Sequence, residues 1–426
     1  MSGSERTQLA LAAAALVVVY AVATTVGPFS DITVNDLYVY GVYADLLHDG
    51  QLPYVDFGFE YPPLGAIPLW LAGVPGLDDA TYAVSFAVLM GICLIATQQL
   101  AARLAGGGRA SVTVAWLFAA TPVLIGASLR THFDALPIAL ALGGLLALSK
   151  DRHEIGFALL GVGTMTKLFP GLLAIIALGW LAFGRGQWRS ALRGGAIFAA
   201  VVAAISLPLT GAGYVDSFEF HLERPVQIES TAASVLFALG GSDVTGTNLR
   251  PDRFKSNGLD GGHAVAAERV FAFLLVLALW SIVWLASRRP DARHMVLCGF
   301  AALLAFVTLG KVFSPQYVIW LAPFAALAWV WGRRSAALLT GAAIVLTHVE
   351  FPSRYFDLIN VKTDVVVIVA ARNALLLAAL VVLAASLLRN PRHDAASPAA
   401  RKPDAASSSA SSSSEVSQRS RLHFRP

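Results

Sequence analysis

Two stretches near the start of the chain gather side chains able to move a proton. The first runs Ser30-Asp31-Ile32-Thr33-Val34-Asn35-Asp36-Leu37-Tyr38-Val39-Tyr40, and the second runs Gly50-Gln51-Leu52-Pro53-Tyr54-Val55-Asp56-Phe57-Gly58-Phe59-Glu60-Tyr61-Pro62-Pro63-Leu64. Together they present four carboxylates, Asp31, Asp36, Asp56 and Glu60, among tyrosines that include Tyr40 and Tyr61. A carboxylate within hydrogen-bond reach of a sugar hydroxyl can act as its general base. The plainer reading is that water-facing loops hold acids anyway, and that tyrosines at a membrane surface form an aromatic belt.

A second set is cationic. Arg130 and His132 share one short connection, and Lys167 sits in Thr166-Lys167-Leu168-Phe169-Pro170. Lys311 opens Lys311-Val312-Phe313-Ser314-Pro315-Gln316-Tyr317, and His348 and Arg354 flank Val349-Glu350-Phe351-Pro352-Ser353. A cation at an apolar helix end is costly unless it snorkels or pairs. Its natural functional partner is an anionic headgroup such as a phosphate. The recurrence across four connections favours a phosphate site over simple snorkelling. The sequence has no Walker A run, no GxGxxG after a strand, no HExxH and no paired CxxC, so it implies neither a nucleotide nor a metal cofactor. Any transfer chemistry must draw its energy from a donor already in the membrane.

The elements that must position these groups are apolar and long. Hydrophobic residues make up 56% of the chain and charged residues 14%, against about 25% charged in ordinary soluble domains. The apolar residues form blocks such as Leu9 to Val26 and Val365 to Leu388, without the alternation of a barrel strand. About 20 such residues cross a bilayer as a helix. The blocks predict an all-α polytopic membrane protein with twelve spans, at 9–27, 79–102, 111–128, 134–149, 154–166, 168–183, 194–210, 264–287, 294–310, 317–332, 335–349 and 365–388. Arg6, Arg103, Arg109, Lys150, Arg152, Arg185, Arg189, Arg193, Arg288, Arg289, Arg293, Arg333, Arg334, Arg389 and Arg392 all fall on one side of this arrangement. The positive-inside rule makes that side cytoplasmic. It also accounts for the net charge of +4 without nucleic acid as a partner. Cys93 and Cys298 lie inside apolar blocks, so no disulfide framework is implied. Arg6 and Ala21-Val22-Ala23 resemble a signal peptide, but the run is long and many spans follow, which favours an uncleaved first span.

The arms at 154–183 are short for full crossings, and their turn brings Lys167 to the outer face. Three outer segments are predicted: Pro28 to Asp79, Gly211 to His263 and Val349 to Asp364. In the first, Asp36 to His48 reads as an interfacial amphipathic helix, and Pro63 to Val74 as an interfacial or re-entrant piece. The second mixes both charge signs, with Glu219, Glu223, Arg224, Glu229, Arg250, Asp252, Arg253 and Lys255, and reads as an ordered loop. Residues 1–390 form one transmembrane domain. From Pro391 to Pro426 the composition turns to Pro, Ala and Ser, predicting a disordered cytoplasmic tail without a catalytic role.

In order and spacing, Asn35-Asp36-Leu37-Tyr38-Val39-Tyr40, Gly50-Gln51-Leu52-Pro53-Tyr54 and Tyr61-Pro62-Pro63-Leu64 resemble the first loop of a known family. That family is the polyprenyl-phosphate-mannose-dependent alpha-mannosyltransferases of actinobacteria, GT-C enzymes of the phosphatidylinositol-mannoside type. Phe133-Asp134-Ala135-Leu136-Pro137 and the segments around Lys167 and Lys311 look like its later landmarks, and the resemblance spans residues 10–390. It implies a GT-C-type fold and an inverting glycosyltransferase that needs no metal. It also implies a polyprenyl-phosphate sugar, most often mannose, as donor, and a glycolipid or cell-envelope glycan as acceptor. The site then faces the outside of the plasma membrane. The family's essential acid falls on Asp36, with Asp31 as second choice. Lys311, His348, Lys167 and Arg130 are the donor-phosphate candidates, and Tyr40, Asp56, Glu60 and Tyr61 belong to the substrate loop. Two alternatives stand beside this reading. One is a secondary transporter or lipid flippase, kept open by Arg372 inside the last span. The other is a GT-C transferase using another polyprenyl-phosphate sugar such as arabinose.

Overall fold

Each predicted apolar block folds as a helix, since in hydrocarbon only a helix satisfies every backbone group within its own segment. The computed structural model describes residues 2–209, 211–240, 257–259 and 261–389. Twelve long helices follow the twelve predicted segments: α1 (Gly3–Val26), α2 (Asp79–Leu104), α3 (Gly108–Ile125), α4 (Ala135–Ser149), α5 (His153–Thr166), α6 (Pro170–Gly184), α7 (Trp188–Leu209), α8 (Gly262–Ala286), α9 (Ala292–Leu309), α10 (Tyr317–Val330), α11 (Arg334–Glu350) and α12 (Thr363–Leu388). Among the described residues, seven of these are long and apolar enough to cross a membrane: α1, α2, α3, α7, α8, α9 and α12. The chain is a multi-pass membrane protein built of helices, with one short strand pair among the described residues. The predicted tail, Arg250, Asp252, Arg253 and Lys255 lie outside the described residues.

One boundary moves for a clear reason. α1 starts at Gly3 rather than at residue 9, because the Ser2 hydroxyl accepts from the Glu5 amide at 3.1 Å and caps a polar first turn. Apolarity marks where lipid begins, whereas the cap marks where the helix begins.

The helices differ in depth within the bundle. Of its most apolar 18-residue window, α9 buries 83%, against 6% for α7. α9 is therefore the core of the bundle, while α7 turns almost all of its apolar surface outward. α4 and α5 cross backbone to backbone. A Cβ at Gly156 would lie 3.1 Å from the Gly144 carbonyl oxygen and 2.6 Å from Leu148 Cγ. Small residues at such a crossing let two helices touch without side chains between them.

α4, α5 and α10 have only 15, 14 and 14 residues. At 1.5 Å per residue they rise about 21–23 Å, less than the ~30 Å of hydrocarbon. The connections at their ends supply Asp134, Lys167 and Gln316. On the opposite end of the bundle the helices are joined by tight turns, with Asp151, Gly186 and Gly332 at positive φ (57°, 67° and 82°).

Between α1 and α2 the chain forms a helix at Leu37–His48, packed on another at Ala66–Gly73. Between α7 and α8 it forms helices at Ala212–Glu223 and Thr231–Leu239, and Val226–Gln227 pairs antiparallel with Gly258–Leu259. Both predicted outer loops are thus ordered where they are described.

Candidate functional site

One end of the bundle encloses a cavity of about 660 Å³, within the range usual for small-molecule sites. Its lining comes from the connections after α1, α3, α5, α7, α9 and α11, and from the helix ends beside them. The tight turns at the other end contribute nothing to it. An up-and-down chain that uses every second connection gathers segments distant in sequence into one chamber.

Asp36 stands directly before the helix Leu37–His48. An aspartate in that position commonly caps the helix. Here Asn35 does so instead, its Oδ1 accepting from the Leu37 amide at 2.8 Å. The Asp36 carboxylate is left to line the cavity, with 34% of its side chain exposed. Tyr40, one turn on, donates its hydroxyl to Asp36 Oδ2 at 3.1 Å. Tyr40 is itself buried, with the rings of Phe86, Phe133 and Tyr61 5.5, 5.6 and 6.0 Å away. His132 Nε2 lies 3.5 Å from the same carboxylate oxygen. Asp36 is thus aimed by two buried side chains while one flank stays open.

Asp31 differs in every respect. Its Oδ1 accepts from the Thr33 amide at 2.8 Å and from the Thr33 hydroxyl at 2.6 Å. The hydroxyl bond, then the amide bond, holds the Asp31 carboxyl below its ordinary range. Asp31 does not line the cavity, and neither does Asp56, whose Oδ2 accepts from the Leu52 amide at 2.7 Å to brace a turn. Glu60 and Tyr61 do line it. The Glu60 carbonyl is held by His221 Nε2 at 2.9 Å, which ties the connection after α1 to the connection after α7.

Two of the four candidate phosphate cations reach the chamber. Lys167 Nζ lies 2.8 Å from both oxygens of Asp134, and Asp134 is fully buried. Trp320 Nε1 also donates to Asp134 Oδ1. Lys311 Nζ donates to Glu268 Oε1 at 2.7 Å and to the Leu222 carbonyl at 2.5 Å. Arg224 joins them on the lining. Arg130 and His348 are placed elsewhere. Arg130 Nε donates to the Thr24 carbonyl at 2.9 Å, at the end of α1. His348 is buried, with Nδ1 3.0 Å from the Ile344 carbonyl and Nε2 3.2 Å from Ser128 Oγ. Neither lines the cavity.

Gln227 and Glu268 line the cavity without having been singled out in the sequence, whereas Glu229 stood among the mixed charges of the second loop and Asp134, beneath the lining, stood in the landmark Phe133-Asp134-Ala135-Leu136-Pro137. Asp134 is separated from Lys167 by 33 residues. The landmark marked Asp134 but not the lysine that it meets. Among the described residues, no group of three or more His, Cys, Asp or Glu side chains is placed to hold a metal ion.

Residues 59–243 match the family model of Glycosyltransferase family 87. The matched stretch contains Glu60, His132, Asp134, Lys167, Arg224 and Glu229, whereas Asp36 and Lys311 lie outside it. Among solved structures, the chain is similar to ArnT from Cupriavidus metallidurans in the apo state, at 15% identity and a TM-score of 0.47, over 90% of this chain and 78% of that one. It is also similar to ArnT from Cupriavidus metallidurans bound to undecaprenyl phosphate, at 18% identity and a TM-score of 0.38, over 89% of this chain and 77% of that one. No curated protein matches the chain.

Proposed function

We propose that this chain is an inverting glycosyltransferase that takes a sugar from polyprenyl phosphate and passes it to a lipid-linked or cell-envelope glycan. The outer face of the plasma membrane is the side where it acts, and mannose is the sugar favoured by the first-loop resemblance. One observation carries the reading: a single cavity, at the end of the bundle away from the arginine-rich turns, holds an aimed carboxylate, Asp36, together with Lys167, Arg224 and Lys311. The match to a glycosyltransferase family model over residues 59–243 supports it. The arginine-rich turns argue for the orientation.

The chemistry follows from the charges. Asp36 accepts the proton of an acceptor hydroxyl as that oxygen forms its bond to C1 of the donor sugar. The bond from C1 to the phosphate oxygen breaks, and polyprenyl phosphate leaves with the electron pair. Lys311 and Arg224 stabilise the growing phosphate charge, an interaction that strengthens toward the transition state and so accelerates the step. Lys167 is paired with the fully buried Asp134 and holds the floor of the site in place, whereas Glu268, the partner of Lys311, is 35% exposed and can give way to a phosphate. Both substrates are tethered to the bilayer, and a chamber lined by short helices and interfacial loops is where such headgroups can meet.

The transporter alternative finds less support. Arg372, which kept it open, reaches the Glu229 carbonyl instead of lining the cavity. The test is transfer by the purified, reconstituted full chain from a panel of polyprenyl-phosphate sugars to membrane glycolipids. Transfer from one member, with release of polyprenyl phosphate in equal amount, is the expected result. No transfer from any member, together with donor-independent substrate flux across the vesicle, would overturn the reading.

A further inference from the structure

Glu268 lies in the second turn of α8 and lines the cavity. Its Oε1 accepts from Lys311 Nζ at 2.7 Å, and the side chains of Lys311 and Glu268 are 20% and 35% exposed. Lys311 is also fastened to the connection after α7. Its Nζ donates to the Leu222 carbonyl at 2.5 Å, and its own carbonyl accepts from the Gln227 amide at 2.9 Å. Arg224 stands between those two residues in the chain and lines the cavity as well. Two cations and one partly exposed carboxylate therefore meet at one corner of the chamber. Glu229, further along the same connection, is 1% exposed and lies beside Glu350 and Arg372.

An acid bonded to the lysine that receives a phosphate works against phosphate binding, since like charges repel at close range. Its use lies in the difference between the two phosphates that the reaction handles. The donor is a phosphodiester and carries one negative charge. The product, polyprenyl phosphate, is a monoester with about −1.5 to −2 charges at pH 7. Lys311, Arg224 and Glu268 together carry one positive charge, which matches the donor. Without Glu268 the corner would carry two and match the product, whose slow release can limit turnover.

We propose that Glu268 is a charge-selecting residue of the phosphate pocket, which weakens the hold on polyprenyl phosphate more than the hold on the donor and so favours product release. The inference rests on the glycosyltransferase reading above, with Lys311 and Arg224 at the phosphate. Glu268 yields Lys311 to the incoming phosphodiester but stays on the wall beside it, because α8 fixes its backbone. The cost falls on bond breaking, where the same carboxylate opposes the charge growing on the leaving phosphate.

The test compares wild type with Glu268→Gln in the full-length chain in lipid nanodiscs. Glutamine keeps the size and can still accept from Lys311. Polyprenyl phosphate and the polyprenyl-phosphate sugar that wild type uses are each titrated without acceptor. Repulsion scales with the charge repelled, so a gain of about threefold for the donor becomes about tenfold for the product. In Glu268→Gln the Kd for polyprenyl phosphate should fall by about tenfold and that for the donor by about threefold. With acceptor present, single-turnover transfer should quicken, and polyprenyl phosphate should inhibit at about tenfold lower concentration. Glu268→Asp, which keeps the charge, should keep the wild-type ratio of the two Kd values. Glu268→Ala replaces the glutamine variant if that one fails to insert. Equal fold-changes in the two Kd values would overturn the proposal while leaving the enzyme reading intact. A weaker hold on both lipids, or slower single-turnover transfer at saturating donor, would overturn it too, since Glu268 would then only position Lys311. Absence of transfer by wild type from any donor would remove the enzyme reading and this proposal with it.

Discussion

At one end of the bundle, Lys167 holds both oxygens of Asp134, and the two side chains are 12% and 0% exposed. At the other end, Arg185 pairs with Asp151, and the exposures are 24% and 63%. The residue types are nearly the same and the surroundings opposite. The Asp151 pair sits in a tight turn open to water, where screening and side-chain entropy leave an ion pair worth little. The Asp134 pair sits between short helices beneath the cavity, with Trp320 donating to the same carboxylate. There each charge depends on the other. The contrast separates charges that orient a membrane protein from charges that build a site inside it.

The largest effect expected at the cavity end is on activity. Asp36→Asn keeps the size of the side chain and can still accept from Tyr40, but it cannot take up a proton. Transfer should fall by about 10²–10⁴-fold, the usual contribution of general acid–base catalysis. Asp31→Asn, already turned to Thr33 and away from the cavity, should leave the rate close to wild type. Steady-state transfer by the two variants in parallel checks the pair, and the reverse ranking would move the base to Asp31.

Stability gives the next contrast. Lys167→Met strands the Asp134 charge and should cost about 3–5 kcal/mol, as broken buried pairs do. Arg185→Met should cost less than about 1 kcal/mol. Chemical denaturation in detergent, with helicity as the readout, compares them; equal losses would erase the distinction between the two ends.

Lys311→Ala should lower donor kcat/KM by about tenfold to a hundredfold, the range of a bond to a charged group. His348→Ala, packed against Ser128 outside the cavity, should lose less in the same assay. An equal loss of donor use would return His348 to the phosphate site. The orientation experiment should leave the transfer rate unchanged and reads labelling alone. A cysteine at Asp216, in the second outer loop, should be labelled from outside intact cells, and one at Arg189 should not. Cys93 and Cys298 are both buried and give little background. The opposite labelling pattern would invert the assigned sides.

The sequence foretold the helices and half of the chamber, for reasons visible in particular residues. Apolar blocks are a local signal, so α1 to α12 could be read in order, including the short arms around Lys167. Asp36, Lys167 and Lys311 stood out because a charge at the edge of an apolar block demands an explanation. Their pairings did not stand out. Asp134 meets Lys167, and Glu268 meets Lys311, only once the helices are packed, and no local pattern marks a contact across 33 or 43 residues. The burial of Gln227 and Glu229 was hidden for a different reason. In a loop of mixed charges any one residue looks solvated, and burial to 4% and 1% is a property of the packed loop. Arg130 and His348 show the converse, since a cation in an outer connection can turn inward to a carbonyl or a hydroxyl as easily as toward a ligand.

The central claim is a single displacement across one chamber, with Asp36 drawing the proton on one flank of the sugar and the cations receiving the phosphate on the other. Its most direct test is the anomeric configuration of the transferred sugar, read by proton NMR on product made by the wild-type chain from a donor of known configuration. Attack opposite the leaving phosphate inverts C1, so the product should carry the configuration opposite to that of the donor. Retention of configuration would require an intermediate on the enzyme or attack from the phosphate side, and would contradict the roles proposed for Asp36, Lys311 and Arg224.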